Sequence, residues 1–397
     1  MSTLRVNKLE NTNTSNGGIS IDTSGHVSID GANFPTAGPL SNRNRWINGA
    51  MVVDQRRGGA SKSSANGGDY IVDRLRLEAT VNGKCTIGQN LNSVTPPVGF
   101  KKYAGVQVTS THSLGVSDHF NFSRWIEGYD ITNLEQGTAN AKSFTISFWV
   151  RSSVIGTYGL SVLGYNGVTF RHHVKEYTIN STDWEYKTIT IQGDTSSTIT
   201  WNTTNGTGLF VEWNLGAGTN VQTTADTWTT GLFRSTSNQT NLFATNGATF
   251  YLTGVQVEVG TVATPFEHKS YGDELAKCQR YYYECTSSTA NKNMNQQGVL
   301  IAASSTAYEY MPIPPVPMRA APSCSLTNDV CVMRLDGGSS FITVNLQGTD
   351  FLALPNGNGF SGHMWGNRTS GTGFSPGNTG RLCTGSVPGK LAFSAEL

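Results

Sequence analysis

Charge is what this sequence has least of. Charged residues make up 14% of the 397 positions, against roughly 25% in ordinary globular proteins, and they sum to a formal net charge of +1. No basic run occurs, so nucleic-acid binding, which depends on neutralising phosphates, is not expected. Long apolar runs are missing as well. The longest are strand-length, too short for a spanning helix, and no membrane insertion is expected. The opening MSTLRVNKLENTN has the pattern of neither a secretory signal nor a lipidation site. Cys85, Cys278, Cys285, Cys324, Cys331 and Cys383 contain no C-x-x-C pair, so they read as core or interface thiols, with no metal and no cofactor. Cys278 and Cys285, placed on one helical face, would lie about 10 Å apart along the axis, too far for a disulfide. Ser, Thr, Asn and 45 Gly take the place of charge and make a neutral, hydroxyl-rich surface. Such a surface looks extracellular, yet no export signal accompanies it.

What is present is alternation. In FTISFWV, Phe144, Ile146, Phe148 and Val150 share one face, while Thr145, Ser147 and Trp149 share the other. Leu209, Val211, Trp213 and Leu215 alternate in LFVEWNL, as do Ile189 and Ile191 in KTITIQG. Short strands of this period between Gly- and Asn-rich turns predict an antiparallel β-sandwich or jelly roll over residues 44–269, opening near Ile47 and closing with VQVEV. Ahead of it, Ile19-Ser20-Ile21-Asp22 is echoed by Val27-Ser28-Ile29-Asp30. Two such strands do not hold together alone. Residues 1–43 therefore read as a slender β segment, either a shaft paired with other copies or a hairpin laid on the next domain.

Behind the sandwich, Ser270 and Asp273 form a capping-box pattern, and Leu275, Cys278 and Tyr282 follow at helical spacing. One short connecting helix over residues 270–286 is predicted. Residues 287–397 read as a C-terminal β tip domain. VLIAA and FITVNL are strands there, MPIPPVPMRAAP is an edge or connector because proline removes donors, and residues 356–380 hold too much Gly, Asn and Ser for regular structure. The fold class is all-β.

Catalytic chemistry finds no support. Gly373-Phe374-Ser375-Pro376-Gly377 fits the G-x-S-x-G pattern of serine hydrolases, but Pro376 has no N–H to donate to an oxyanion. His172 and His173 are adjacent, so on a strand they point to opposite faces, one to solvent and one to the core, and cannot share a metal. Asp118, Glu127, Asp130 and Glu135 gather around Trp125 and Tyr129. That grouping raises a polysaccharide-degrading alternative, which would need two carboxylates converging across a cleft. Sugar binding needs less: an aromatic face against the C–H face of a pyranose, and polar groups for its hydroxyls. Candidates are Trp125, Tyr129, Tyr158 and Tyr165 in loops of the sandwich, and His363, Trp365 and Arg368 in the terminal loop. Trp149, on the polar side of its strand, either stacks on sugar or lies under another subunit.

STLRVNKLENTN, NRWINGAMVVDQRRGGA, VDRL, VQVEVGTVATPFEHKSYGDELAKCQRYYY and PVPMRAAPS, in that order from the start to about residue 323, resemble bacteriophage tail fibre proteins, those of marine and cyanobacterial phages above all. PFEHKSYGDELAKCQRYYY is the most specific part. The resemblance implies a carbohydrate-binding-module-like jelly roll in a homotrimer that helps recognise a host surface. It implies a threefold seam at Leu275, Cys278 and Tyr282, although a plain connector contacting only its own chain fits the same residues. Partners would be other virion tail proteins at the N-terminus and a glycan of the bacterial host. The expected role is a non-enzymatic virion fibre, an adhesin assembled in host cytoplasm and released by lysis. The alternatives are a depolymerase tailspike, or a structural head or neck fibre without receptor contact.

Overall fold

Alternating segments become strands wherever a neighbour completes their ladder. The computed structural model describes residues 41–286 throughout and most of 8–33. Beyond 286 it describes 314–327 and 390–397, together with the backbone of strand segments between 300 and 384. Two compact units divide the chain, Met1–Tyr271 and Gly272–Leu397.

The first unit begins with β1 (Lys8–Glu10), β2 (Gly18–Ile21), β3 (Val27–Ile29) and β4 (Ala32–Asn33), an antiparallel sheet in sequence order. The echoed segments are its central hairpin, with Ile19 opposite Ile29 and Ile21 opposite Val27. Asp22 fixes the turn by accepting from the backbone N–H of His26 at 2.9 Å.

The sandwich is built from β5 (Tyr70–Val72), β6 (Leu75–Ala79), β7 (Cys85–Gln89), β8 (Ala104–Val108), β9 (His119–Glu127), the single turn α1 (Gly128–Ile131), β10 (Phe144–Ser152), β11 (Gly156–Tyr165), β12 (Phe170–Ile179), β13 (Glu185–Ile191), β14 (Thr207–Ala217), β15 (Trp228–Thr230) and β16 (Thr249–Val259). One sheet runs β13-β10-β16-β8-β7 and the other β15-β12-β11-β14-β9-β6-β5. All their ladders are antiparallel. Phe144, Ile146, Phe148 and Val150 are fully buried between the sheets with Leu209, Val211, Trp213 and Leu215. Each such side chain contributes roughly 1.5–3 kcal/mol by leaving water. Trp46 meets Trp213 edge to face at 5.3 Å.

The strand expected near Ile47 does not form; residues 47–50 are turns. Asparagine side chains replace the ladder there. Asn44 donates to the Val255 carbonyl and accepts from the Val257 N–H, and Asn48 donates to the carbonyls of Val53 and Asp73.

In the second unit α2 (Tyr271–Gln279) is the expected helix, but it stops short. Tyr282 belongs to β17 (Tyr282–Thr286), where a run of tyrosines takes the strand form that suits it once a partner is available. That partner is the chain's last strand, residues 390–394. The intervening strands are β18 (Leu300–Ala302), β19 (Ala307–Tyr310), β20 (Ser323–Thr327), β21 (Val330–Arg334), β22 (Phe341–Ala353), β23 (Phe360–Arg368) and β24 (Thr379–Thr384), with β25 (Lys390–Ser394) closing the chain. β17-β25-β20 form a small sheet, and β18-β19-β23-β22-β21-β24 close into a barrel. Residues 360–368 are thus strand rather than loop. β19 and β22 flank them on both sides, and two ladders outweigh the low strand propensity of Gly and Asn. The Gly373–Gly377 motif lies outside the described residues. The protein is all-β, an antiparallel sandwich of jelly-roll type preceded by a small β segment and followed by a β barrel unit.

Candidate functional site

The solvent side of the seven-stranded sheet is unusual for what it holds. Register fixes three rows across it, because directly opposed residues share a face. Trp125, Phe210, Leu163 and His172 make the first, across β9, β14, β11 and β12. Arg76, Ser123, Glu212 and Ser161 make the second, and Glu78, Asn121 and Asn214 the third. An open sheet face is expected to be polar, and the second and third rows are. Yet Asn121, Ser123, Ser161, His172, Glu212 and Asn214 are all at most 1% exposed.

The cover is a strap, residues 219–240 between β14 and β16; its middle, β15, extends the sheet edge beside β12, and residues 231–240 fold back over the face. Its course is fixed by backbone bonds, Arg234 N–H to the Val221 carbonyl at 2.7 Å and Thr240 N–H to the Thr157 carbonyl at 2.7 Å. Gly159 makes close passage possible: a Cβ there would sit 2.3 Å from the Ser235 hydroxyl. Arg234 reaches down and ion-pairs with Glu212. Asn121 donates to the same carboxylate at 3.2 Å and accepts from Asn214 at 2.6 Å, while Ser161 donates to the Phe233 carbonyl at 3.2 Å.

The layer is only partly satisfied. Glu212 Oε2, Arg234 Nε, and the oxygens Ser123 Oγ, Asn214 Oδ1 and Ser235 Oγ have no protein hydrogen-bond partner among the described residues. Each such group costs about 1–3 kcal/mol in a dry interior. Burial outweighs the Arg234 guanidinium and raises Glu212 to about 7. It lowers His172 to about 3, with Arg234 adding to the effect and the Gly231 backbone opposing it, and lowers His119 to about 4.

The strap leaves the two ends of the face open. At one end Trp125 is half-buried, its indole packed on Phe210 at 4.4 Å between ring centroids. Tyr70, beyond Arg76 in the second row, lies under the Arg56 guanidinium at 3.7 Å. Arg76 ion-pairs with Glu78. Tyr129, 59% exposed, stands on α1 just past the end of the strand that carries Trp125. At the other end is an open cleft of ≈ 630 Å³ lined by Glu176, Thr219, Gln222, Thr223, Thr236 and Asn238 among others. Glu176 accepts there from Asn238 Nδ2 at 3.1 Å and from the Thr236 hydroxyl.

Other residues named from the sequence fall elsewhere. His363, Trp365 and Arg368 lie on β23 rather than in a loop, and their side chains are outside the described residues. Tyr158 is buried in the core, bonded to the Val154 carbonyl at 2.7 Å. Tyr165 stacks on Phe170 at 4.3 Å. His172 and His173 are both buried, so neither faces solvent; the strap covers the first, and Trp228 packs on the second at 5.2 Å. The acids are engaged locally: Asp118 with His112 at 2.7 Å and Glu135 with Lys142 at 2.6 Å, while Glu127 is 2% exposed. Leu275 is half-buried on α2, and Cys278 and Tyr282 are buried within their own chain. Cys278 and Cys285 lie on a helix and a strand, not on one helical face. No group of three or more potential metal ligands occurs among the described residues, and no described helix is long and apolar enough to cross a membrane. Glu212, Phe210 and Arg234 went unnamed in the sequence; the LFVEWNL alternation puts the first two on the solvent side, but nothing local signals the strap.

No family model matches the chain, and no curated protein matches it. Solved structures similar to it include a carbohydrate-binding module, CBM4, at 13% identity over 54% of this chain and 98% of that one, TM-score 0.28. TmCBM61 in complex with β-1,4-galactotriose covers 55% of this chain and 100% of its own at 10% identity, TM-score 0.27. A family 11 carbohydrate-binding module from Clostridium thermocellum, in complex with a β-1,3-1,4-mixed-linked tetrasaccharide, covers 53% and 99% at 12% identity, TM-score 0.25. At such scores they add nothing to what the strand pairing shows, and no ligand contact is carried from them to this chain.

Proposed function

We propose that this protein is a non-enzymatic glycan-binding fibre component of a virion, and that the solvent side of the seven-stranded sheet binds sugar at Trp125. The observation that carries the site is a half-buried indole held on Phe210 at an open end of the face, with the part-exposed Arg76–Glu78 pair on the same face. An indole of that kind offers stacking area to a pyranose, and the accessible Arg76, Glu78 and Tyr129 offer partners for its hydroxyls. The viral part of the reading rests on the tail-fibre resemblance of residues 1 to about 323. With it go the homotrimer seamed at Leu275, Cys278 and Tyr282, docking to tail proteins through residues 1–43, and attachment to a host surface glycan. The hydroxyl-rich, weakly charged composition agrees with it. Binding of the purified chain to host surface polysaccharide tests the site. Trp125→Ala is expected to weaken binding roughly tenfold, the loss of one stacking contact of about 1–1.5 kcal/mol, with the melting temperature little changed. Undiminished binding by a folded Trp125→Ala would remove this site from the reading. New reducing ends released from the polysaccharide would replace the adhesin with a depolymerase.

A further inference from the structure

On the opposite sheet, aromatic rings stand in a row where the alternation calls for polar side chains. Trp149 on β10 lies beside its register partner Tyr186 on β13, ring centroids 5.4 Å apart. Across Gly254 of β16 comes Phe100, which meets Phe266 at 5.0 Å and His268 at 5.3 Å. None of these residues belongs to the hydrophobic cluster between the sheets. Tyr186 is 44% exposed, His268 is exposed, and Trp149 and Phe266 are half-buried; Phe100 lies deepest of the five.

Gly254 makes the row possible. It sits at φ +62° where the β10–β16 register shifts between Ser147 and Trp149. A Cβ there would lie 2.7 Å from Phe100 Cζ and 3.0 Å from Trp149 Cδ1. The missing side chain lets two rings close over the backbone from either side.

The row is flanked by hydrogen-bonding groups rather than by a broad aliphatic field. Tyr186 bonds to Ser147. Arg151, two residues along β10 from Trp149, donates to the Thr182 carbonyl at 2.7 Å. Thr188 stands next to Ser147 in register, and beyond them the Thr145 and Thr190 hydroxyls meet at 3.1 Å. A stable protein partner calls for roughly 800 Å² a side with an apolar centre, which a strip of rings between polar groups does not offer. A pyranose is amphipathic in the matching sense, with C–H groups on its face and hydroxyls on its edge. Rings in a row along a sheet suit a flat chain of equatorially linked sugars.

We infer that Trp149, Tyr186, Phe266 and His268, with Phe100 beneath them, form a second carbohydrate-binding platform, for a neutral β-linked hexose chain laid along the rings. The ligand class follows the glycan reading above; the site is independent of Trp125. Isothermal titration of the full chain with cellohexaose, mannohexaose and β-1,4-galactohexaose tests it. At least one probe is expected to bind at two per chain, falling to one in Trp149→Ala and again to one in Trp125→Ala. Tyr186→Ala, at the most exposed ring of the platform's Trp149 end, is expected to weaken the second site at least tenfold without loss of fold and serves if Trp149→Ala does not fold. One ligand per chain, abolished by Trp125→Ala and untouched by Trp149→Ala and Tyr186→Ala, overturns this platform and leaves the first reading standing. One ligand per chain, lost with Trp149→Ala or Tyr186→Ala and kept by Trp125→Ala, supports the platform and removes the first site. A change of molecular mass in Trp149→Ala with sugar binding intact makes the row an interface between copies and overturns the inference. No binding of any probe overturns it as well.

Discussion

The two sheets of the sandwich depart from the ordinary outer face in opposite ways. On the seven-stranded sheet the solvent-side positions of the central strands include Asn121, Ser123, Ser161, Glu212 and Asn214, polar as an open face demands, and the strap at 219–240 covers them. On the five-stranded sheet the corresponding positions include Trp149, Tyr186 and Tyr251; Tyr186 is 44% exposed and Trp149 half-buried. One face hides hydrogen-bonding groups and the other shows rings. Neither arrangement maximises stability, since buried unpaired polar groups and exposed aromatic area both cost free energy. The comparison teaches that folding alone needs neither face to be built this way.

The largest expected effect breaks the strapped face. Arg234→Ala leaves the Glu212 carboxylate buried beside Asn121 with no cation in contact, and loss of about 3–5 kcal/mol is expected in urea denaturation. Glu212→Leu combined with Arg234→Met should recover most of it, because neither charge is then buried alone. A loss under about 1 kcal/mol for Arg234→Ala would mean that water reaches the carboxylate and that the two faces differ less than their residues suggest. A smaller effect tests the aromatic face. Gly254→Ala strains a left-handed position and presses on Phe100 and Trp149, so about 1–3 kcal/mol should be lost, with the Trp149 fluorescence shifted. An unchanged spectrum would dissociate the row from Gly254.

The smallest expected effect is in the pH dependence, because two groups under the strap oppose each other. His172 folds with its affinity for protons lowered to about 3, below its unfolded value near 6.5. The unfolded chain therefore binds the proton first, and stability falls as pH drops below about 6.5. Glu212, raised to about 7 from about 4.3, does the reverse; its contribution is fully present below the unfolded value and is lost as pH rises through 7. His172→Asn should therefore lose less stability than the parent between pH 6.5 and 4.5. Parallel stability curves for the two proteins would show that His172 is solvated and that the strap is no barrier to protons.

Much of the sandwich was legible. Phe144 to Val150 and Leu209 to Leu215 alternate as written, and both line the core. Trp149 stands on the solvent-side position of its strand, which the period of two gives directly, whereas Trp125, expected in a loop, lies within β9. Tyr158, expected in a loop, lies on β11 opposite Tyr177, and both are core residues because the two strands pair over their whole length. His172 misled for a different reason. Alternation does place it on the outer face, but a segment about 60 residues further along covers that face.

Local pattern by itself determined the strands at Phe144–Val150, Ile189–Ile191, Leu209–Leu215 and Val255–Val259, which of their faces is apolar, and that the surface is neutral and rich in hydroxyls. These follow from the backbone period and from composition, which need no knowledge of neighbours. The tertiary structure decided everything that depends on who the neighbour is. Tyr282–Thr286 and Phe360–Arg368 became strands because β25, β19 and β22 lay ready to pair with them. Glu212 met Arg234 because the strap returned over the sheet. Phe100, Trp149, Tyr186 and Phe266 met around Gly254 because four distant segments converge on one bulge. Such contacts are set by the closing of long loops, and no window of sequence contains both of their ends.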